Sequence, residues 1–270
     1  MSLVIRIPLP VEQMTALAGY FTDGPNFMAL YGLVSQLEKD ADFRAHRFGL
    51  VLEQYASTVR NGEFVMTSFD VVEPAKQSKG VRSMLGFRYA EMVASLYLET
   101  AEFDELDDQQ RLVKDLVAAV NRARVQGGLI TEYIRSDPAE RWGIKCQRVD
   151  DAEDLLGFIL KHEKAISKVY LSHHLPQALD GPALLAAYAE ALSNKDTLLV
   201  CNGYRQIGQV VDCYQEPQRL ADGVFTLAQA LPLYRLKKAS LAERAQLLDR
   251  FFWSFDAAEY AQNPHHFFLR

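Results

Sequence analysis

Hydrophobic and polar positions change period several times along this chain. Residues 3–9 alternate and meet Pro8 and Pro10, which predicts a first strand ended by proline. Residues 11–22 fit either a short helix or a loop. Thr22-Asp23-Gly24-Pro25-Asn26 is a polar helix start with an early proline. Phe27, Leu30, Tyr31, Val34 and Leu37 follow at spacings of three and four, the mark of a helix with one buried face. Residues 46–55 read as a strand, with Phe48, Leu50 and Leu52 on one face. Asn61-Gly62 signals a hairpin, and residues 64–69 return as its second strand.

The stretch 89–130 organises the rest. It opens with alternation over 89–98, passes an acidic turn, and takes helical spacing through Leu112, Val113, Leu116, Val117 and Val120. Gly127-Gly128 then turns the chain into a strand over 129–134. Asp137-Pro138 punctuates, and residues 136–153 read as a loop containing Trp142. Beyond it come a helix at 155–163, strands at 165–175 and 197–201, and an alanine- and leucine-rich helix at 181–192 between those strands. Asn202-Gly203-Tyr204 reads as a turn before a further strand at 207–214, and residues 224–233 as a helix or irregular apolar segment. Ser240 with Glu243 three residues on has capping-box spacing and opens a helix over 240–252.

The order strand, helix, strand, strand, helix, strand predicts an α+β protein. Its residues 1–136 would form a ferredoxin-like βαββαβ domain, the RRM-like or RAMP arrangement, with a basic hairpin at 70–90 inserted. Residues 137–270 would form a mixed α/β part packed on it. RNA-recognition modules use such a sheet, but so do proteins that never touch RNA, so the fold alone fixes no function.

Composition narrows the field. With 270 residues and 49% hydrophobic residues the chain can bury a sizeable core. Its net charge of −6 counts against a protein that binds nucleic acid over its whole surface, but not against one basic groove. Cys146, Cys201 and Cys213 are odd in number and far apart, with no metal or redox spacing, as expected of a reducing, cytoplasmic protein. The first residues lack a signal peptide's pattern, and no apolar run is long enough for a membrane span.

No phosphate-loop, dinucleotide, hydrolase-elbow or zinc-protease motif is present. His173-His174 and His265-His266 are adjacent, and adjacent strand residues point to opposite faces, so each pair chelates poorly. Glu102, Asp104, Glu105, Asp107 and Asp108 fit the start of a helix, where carboxylates favour the dipole, better than a metal site. No metal, cofactor or catalytic residue is indicated. Basic residues stand out instead: Lys76, Lys79, Arg82 and Arg88; Arg122 and Arg124; Arg135, Arg141, Lys145 and Arg148; Arg235, Lys237 and Lys238. Phe87, Tyr89 and Trp142 lie near the first three groups and could stack on bases or pack in the core. The pair Gly127-Gly128 behind Arg122 and Arg124 fits two readings. It is a close-approach corner where a phosphate is held, or a helix end with surface arginines favouring the C-terminus.

Several stretches, in order, resemble the Cas-five subunit of type I-F CRISPR surveillance complexes (Cascade, or Csy complexes). They are Arg88-Tyr-Ala-Glu-Met-Val-Ala-Ser-Leu-Tyr-Leu, Leu106-Asp-Asp, and Arg124-Val-Gln-Gly-Gly-Leu-Ile. Asp23-Gly-Pro with Phe27, His46-Arg-Phe, Leu199-Val with Asn202-Gly-Tyr, and Val224-Phe through Leu233-Tyr extend the likeness. The resemblance implies a non-catalytic subunit that binds the 5′ handle of the crRNA. Such a subunit caps the filament of backbone subunits, pairs with the large subunit and lies near target DNA at the PAM. By this likeness Arg122, Arg124, Gly127 and Gly128 lie near the handle, and Lys76, Lys79 and Arg82 form a finger that touches the guide or the next subunit. Arg88 and Arg135 complete the expected RNA-binding set. The rival expectations are a protein-interaction module without RNA, and a metal-dependent nuclease using the acids at 102–108.

Overall fold

A computed structural model describes residues 2–15, 25–57, 89–100, 103, 105–173, 181–213, 216–255 and 266–269. The hairpin expected at Asn61-Gly62, the strand at 64–69 and the basic hairpin at 70–90 lie outside them, save the last two residues of that hairpin. The elements in order are β1 (Ser2–Thr15), α1 (Phe27–Ala41), β2 (Arg47–Ser57), β3 (Tyr89–Thr100), α2 (Leu106–Val120), β4 (Arg124–Val125), β5 (Gly128–Ile130) and β6 (Lys145–Val149). Then follow α3 (Ala152–His162), β7 (Lys168–His173), α4 (Gly181–Ser193), β8 (Thr197–Cys213), β9 (Glu216–Pro232), α5 (Leu233–Lys238), α6 (Leu241–Asp249) and β10 (His266–Phe268).

Among the described residues all ten strands belong to one sheet, ordered β10-β8-β9-β7-β2-β3-β1-β5-β4, with β6 also paired to β1. Every ladder is antiparallel, and the sheet curls into a half-barrel. This corrects the expected ferredoxin-like βαββαβ domain, which would carry a small sheet of its own. Here the sheet continues from β2 into β7 through Val51↔Val169 and Leu52↔Lys168, and the front of β1 takes β6 as a further partner. The reason is burial. Val51 and Val169 have no exposed surface, and ending the sheet at β2 would uncover both side chains and a row of unpaired backbone groups.

The two faces of the sheet carry separate cores. Ile5, Ile7, Leu9, Leu50, Leu96 and Leu98 face α1 and α2, whose Leu30, Leu37, Leu112 and Leu116 cover them. Val4, Val51, Tyr97 and Val169 face the other way, against Leu155, Phe158 and Ile159 of α3, Leu233 and Leu236 of α5, and Leu248 of α6. The second core accounts for the double-sided burial of β1. A strand covered on both faces reads as a continuous apolar run rather than an alternation.

Pro8 and Pro10 do not end β1. β6 pairs with Ser2 to Arg6 and β5 with Val11 and Glu12, which leaves residues 7–10 without a ladder on that side. A proline has no N–H to give, so a notch between two short partners is where it fits. The Pro10 carbonyl is still used, accepting from Thr131 N at 3.0 Å. Two other expectations change for a related reason. Asn202 lies at a register shift in β8 rather than in a turn, and residues 224–232 continue β9, because β8 pairs with them up to Gln229 and β7 from Leu227 to Pro232. Residues 145–149, expected in a loop, form β6.

Local signals do hold at the helix ends. The Asn26 side chain caps α1, accepting from Met28 N at 2.9 Å and Ala29 N at 3.2 Å. Ser240 with Glu243 closes a capping box on α6, while α3 begins at Ala152 rather than at the expected 155, with Asp151 as its cap. No helix among the described residues is long and apolar enough to cross a membrane.

Candidate functional site

The strand β4 is the last in its sheet, and it and the segments beside it carry Arg122, Arg124 and Arg135 together with the exposed Glu12 and Glu132. The β4–β5 hairpin pairs Arg124 with Leu129 and Val125 with Gly128, leaving Gln126-Gly127 as a two-residue loop. Both loop residues have positive φ, +48° and +79°, as a type I′ turn requires. Glycine accepts this freely, whereas glutamine in the left-handed region costs about 1–2 kcal/mol. Three hydrogen bonds offset that cost. Thr15 N donates to the Gln126 carbonyl at 3.0 Å, Gln126 Nε2 donates to the Thr15 carbonyl at 3.0 Å, and Asn26 N donates to Gln126 Oε1 at 3.4 Å. A Cβ on Gly128 would stand 2.7 Å from Glu12 O and Met14 N, where β1 bulges. The glycine pair is thus neither a helix cap nor an open corner. Gly127 makes the turn, and Gly128 lets the hairpin lie on β1.

Asn121, at the end of α2, ties this hairpin to the chain beyond it. Its Nδ2 donates to the Ile134 carbonyl at 2.8 Å, and its Oδ1 accepts from Ile134 N at 2.8 Å. The clamp sets Arg122 beside the segment that carries Arg135. Arg122, Arg124 and Arg135 are all exposed. Arg122 Nε donates to the Ala118 carbonyl at 3.0 Å, and Arg124 Nη1 to the Gly127 carbonyl at 3.4 Å. Arg135 Nε lies 3.2 Å from Glu140 Oε2, an exposed pair that contributes little. Tyr133, 66% exposed, stands two residues from Arg135.

Of the expected RNA-binding set, then, Arg122, Arg124, Gly127, Gly128 and Arg135 come together at one edge. Lys76, Lys79, Arg82 and Arg88 lie outside the described residues. Tyr89, which follows them, opens β3 opposite Thr15, and Thr15 binds Gln126. The other basic candidates go elsewhere. Arg141 lies over the Trp142 ring at 4.5 Å and reaches Glu53 Oε1 at 3.3 Å, an oxygen it shares with Lys164. Arg235 pairs with Asp196, and Lys238 lies 5.9 Å above the Tyr234 ring. The exposed strand positions carry both signs, with Arg148, Lys168 and Arg205 among the described residues. α3, α5 and α6 cover part of the sheet's broad face, and its exposed positions in β1 and β3 include Glu12 and Glu91.

Asp107 and Asp108 are exposed in the first turn of α2. Among the described residues no three His, Cys, Asp or Glu are grouped to hold a metal ion. His173 Nδ1 lies 3.4 Å from Arg250 Nη2, while His174 and His265 fall outside the described residues. Burial pushes the half-buried Cys146 thiol up to about 12, so it stays protonated at neutral pH.

A second polar cluster has no signature in residue spacing. Arg6 sits in the middle of β1, and its Nε donates to Glu163 Oε1 at 2.6 Å, with side chains only 7% and 4% exposed. The Tyr97 hydroxyl donates to the same oxygen at 2.9 Å. Burial, then the Glu163 carboxylate, pushes the Tyr97 phenol well above its usual range, so it remains a neutral donor. Lys145 stands opposite Arg6 in the β1–β6 ladder. Burial and then Arg6 lower its ammonium pKa. His162, beside Glu163, is lowered to about 4 by burial and then by Lys145, Arg6 and Lys161. The signal in the chain is one charge inside an apolar run, Leu3-Val-Ile-Arg-Ile-Pro-Leu, which only a paired or ligand-bound arginine tolerates.

No protein-family model matches this chain, and no curated protein matches it either.

Proposed function

We propose that this chain is a non-catalytic RNA-binding subunit of a type I-F-like CRISPR ribonucleoprotein. In this reading it holds the 5′ handle of the crRNA at the β4–β5 edge and caps one end of the backbone filament. The observation that carries the proposal is that Arg122, Arg124 and Arg135, all exposed, stand on segments joined at one sheet edge by the Asn121 clamp and the Gln126-Gly127 turn. Exposed guanidiniums suit the phosphate backbone, because each presents a planar fork of donors and no acceptor. Tyr133 offers a stacking surface beside them. The likeness in sequence to Cas-five subunits supplies the identity of the RNA, and the fold supplies none of it. The negative net charge fits a subunit whose surface mostly meets protein neighbours.

The test is co-expression with a CRISPR array and neighbouring reading frames, then pull-down, crosslinking and RNA sequencing. The expected result is a discrete guide RNA crosslinked to this chain near its 5′ end. Alanine at Arg122, Arg124 and Arg135 should lower that yield. Protein partners without RNA would overturn the proposal and favour an interaction module. One observation speaks for that second reading: α4 buries none of its residues, and Leu185 is 72% exposed.

A further inference from the structure

We propose that Arg6, Lys145, Lys161 and His162 form a binding site for a phosphate group at the junction of β1, β6 and the end of α3. The site is separate from the β4–β5 edge and shares no residue with it.

Charge points to an anion there. Arg6 on β1 pairs with one carboxylate, Glu163, and two further cations, Lys145 on β6 and Lys161 on α3, lie close enough to act on the same cluster. That carboxylate is already engaged, since Arg6 Nε and Tyr97 OH both donate to Oε1. Glu53, which Lys164 reaches from the residue after Glu163, is engaged as well, by Arg141 and Lys164. Lys145 forms no ion pair among the described residues, although it is half-buried. This is a local excess of positive charge in a chain whose net charge is −6. Holding Lys145 half-buried without an ion pair is costly, and an anion bound beside it lowers that cost.

An orphan donor lies in the same cluster. Arg6 Nη1 is buried without a hydrogen-bond partner among the described residues. Buried polar groups are nearly always paired, so this guanidinium has a donor to spare. The geometry agrees. Arg6 and Lys145 are cross-strand partners and share a face, and Lys161 and His162 form the last turn of α3 directly before Glu163. Donors offered by three neighbouring elements suit a tetrahedral anion with several acceptor oxygens better than a planar carboxylate, which one guanidinium saturates. His162, lowered to about 4, is neutral when the site is empty, and an anion bound beside it would raise its pKa.

The experiment is an NMR titration of the full chain with inorganic phosphate at constant ionic strength, with chloride as the control. The readout is the His162 ring signal, assigned through His162→Gln. Phosphate should shift it saturably and raise its titration midpoint by about one pH unit or more. Lys145→Gln and Lys161→Gln, at half-buried and exposed positions, should each weaken phosphate binding by about tenfold while keeping the unfolding midpoint. A response no larger than that to chloride, or one unchanged in both variants, would overturn the proposal. A short single-stranded oligoribonucleotide then distinguishes the source. Displacement of phosphate by the oligonucleotide supports an RNA phosphodiester as ligand, and phosphate binding without displacement supports free phosphate or a small phosphorylated molecule. Alanine at Arg122, Arg124 and Arg135 leaves this titration unchanged, so the site stands or falls apart from the edge.

Discussion

Arg6 and Glu163 form an ion pair of 2.6 Å in the interior, 157 residues apart in sequence, with Tyr97 donating to the same carboxylate oxygen. It joins β1 to the end of α3, and so links the centre of the sheet to the layer that covers it. Replacing Glu163 by Leu leaves the Arg6 charge buried and uncompensated. We expect a loss of about 3–5 kcal/mol in urea unfolding. Arg6→Met combined with Glu163→Leu should recover most of that loss, because no charge is then stranded. A double variant as unstable as the single one would show that shape, not charge, sets the cost.

Stability should fall in mild acid, and His162 should carry part of the fall. Its pKa is lowered from 6.5 to about 4, first by burial and then by three neighbouring cations. Between those values the unfolded chain binds a proton that the folded chain refuses. The contribution is therefore complete above 6.5 and is lost as pH falls toward about 4. Urea midpoints measured across this window should decline in the native protein and decline less in His162→Gln. Equal slopes would remove His162 from the account.

Gly128→Ala should destabilise the protein by about 1–3 kcal/mol, the cost of forcing a methyl into a packed place. The new Cβ meets backbone, Glu12 O and Met14 N at 2.7 Å, and backbone cannot swing aside as a side chain can. Thermal unfolding tests this. A neutral result would mean that the β4–β5 hairpin lifts off β1 at no cost.

Arginine removal at the sheet edge should weaken RNA binding without regard to base sequence. The salt dependence of binding should flatten by about one unit of log–log slope for each phosphate left without its arginine when Arg122, Arg124 or Arg135 is replaced. Filter binding at several salt concentrations gives the slope. The same variants should keep the native unfolding midpoint, since all three side chains are exposed. An unchanged slope would assign RNA binding to other residues.

Much of the local structure was legible in the chain. The spacing of Phe27, Leu30, Val34 and Leu37 by threes and fours matches the buried face of α1, and Ser240 with Glu243 marks the start of α6. These signals rest on groups within one or two turns of each other. The candidate edge was partly legible too. Arg122, Arg124, Gly127 and Gly128 are close in sequence, and the hairpin that unites them is short. Arg135 joins them through Asn121, whose partner lies 13 residues on, and no spacing rule marks that bond.

Residue order alone was enough to mark most helices and strands, and to say which side chains share a face, because periods of 3.6 and 2 are local properties. The rest came from long-range packing. It paired β2 with β7 and made one sheet of what reads as two parts, since a strand's period names its faces and not its neighbours. It carried β1 through Pro8 and Pro10, because the missing N–H groups fall between two short partners. It set Arg6 against Glu163 and Lys145, residues that meet only when β6 and α3 close over β1. Each depends on contacts between distant segments, whose energies exist only once the chain has brought them together.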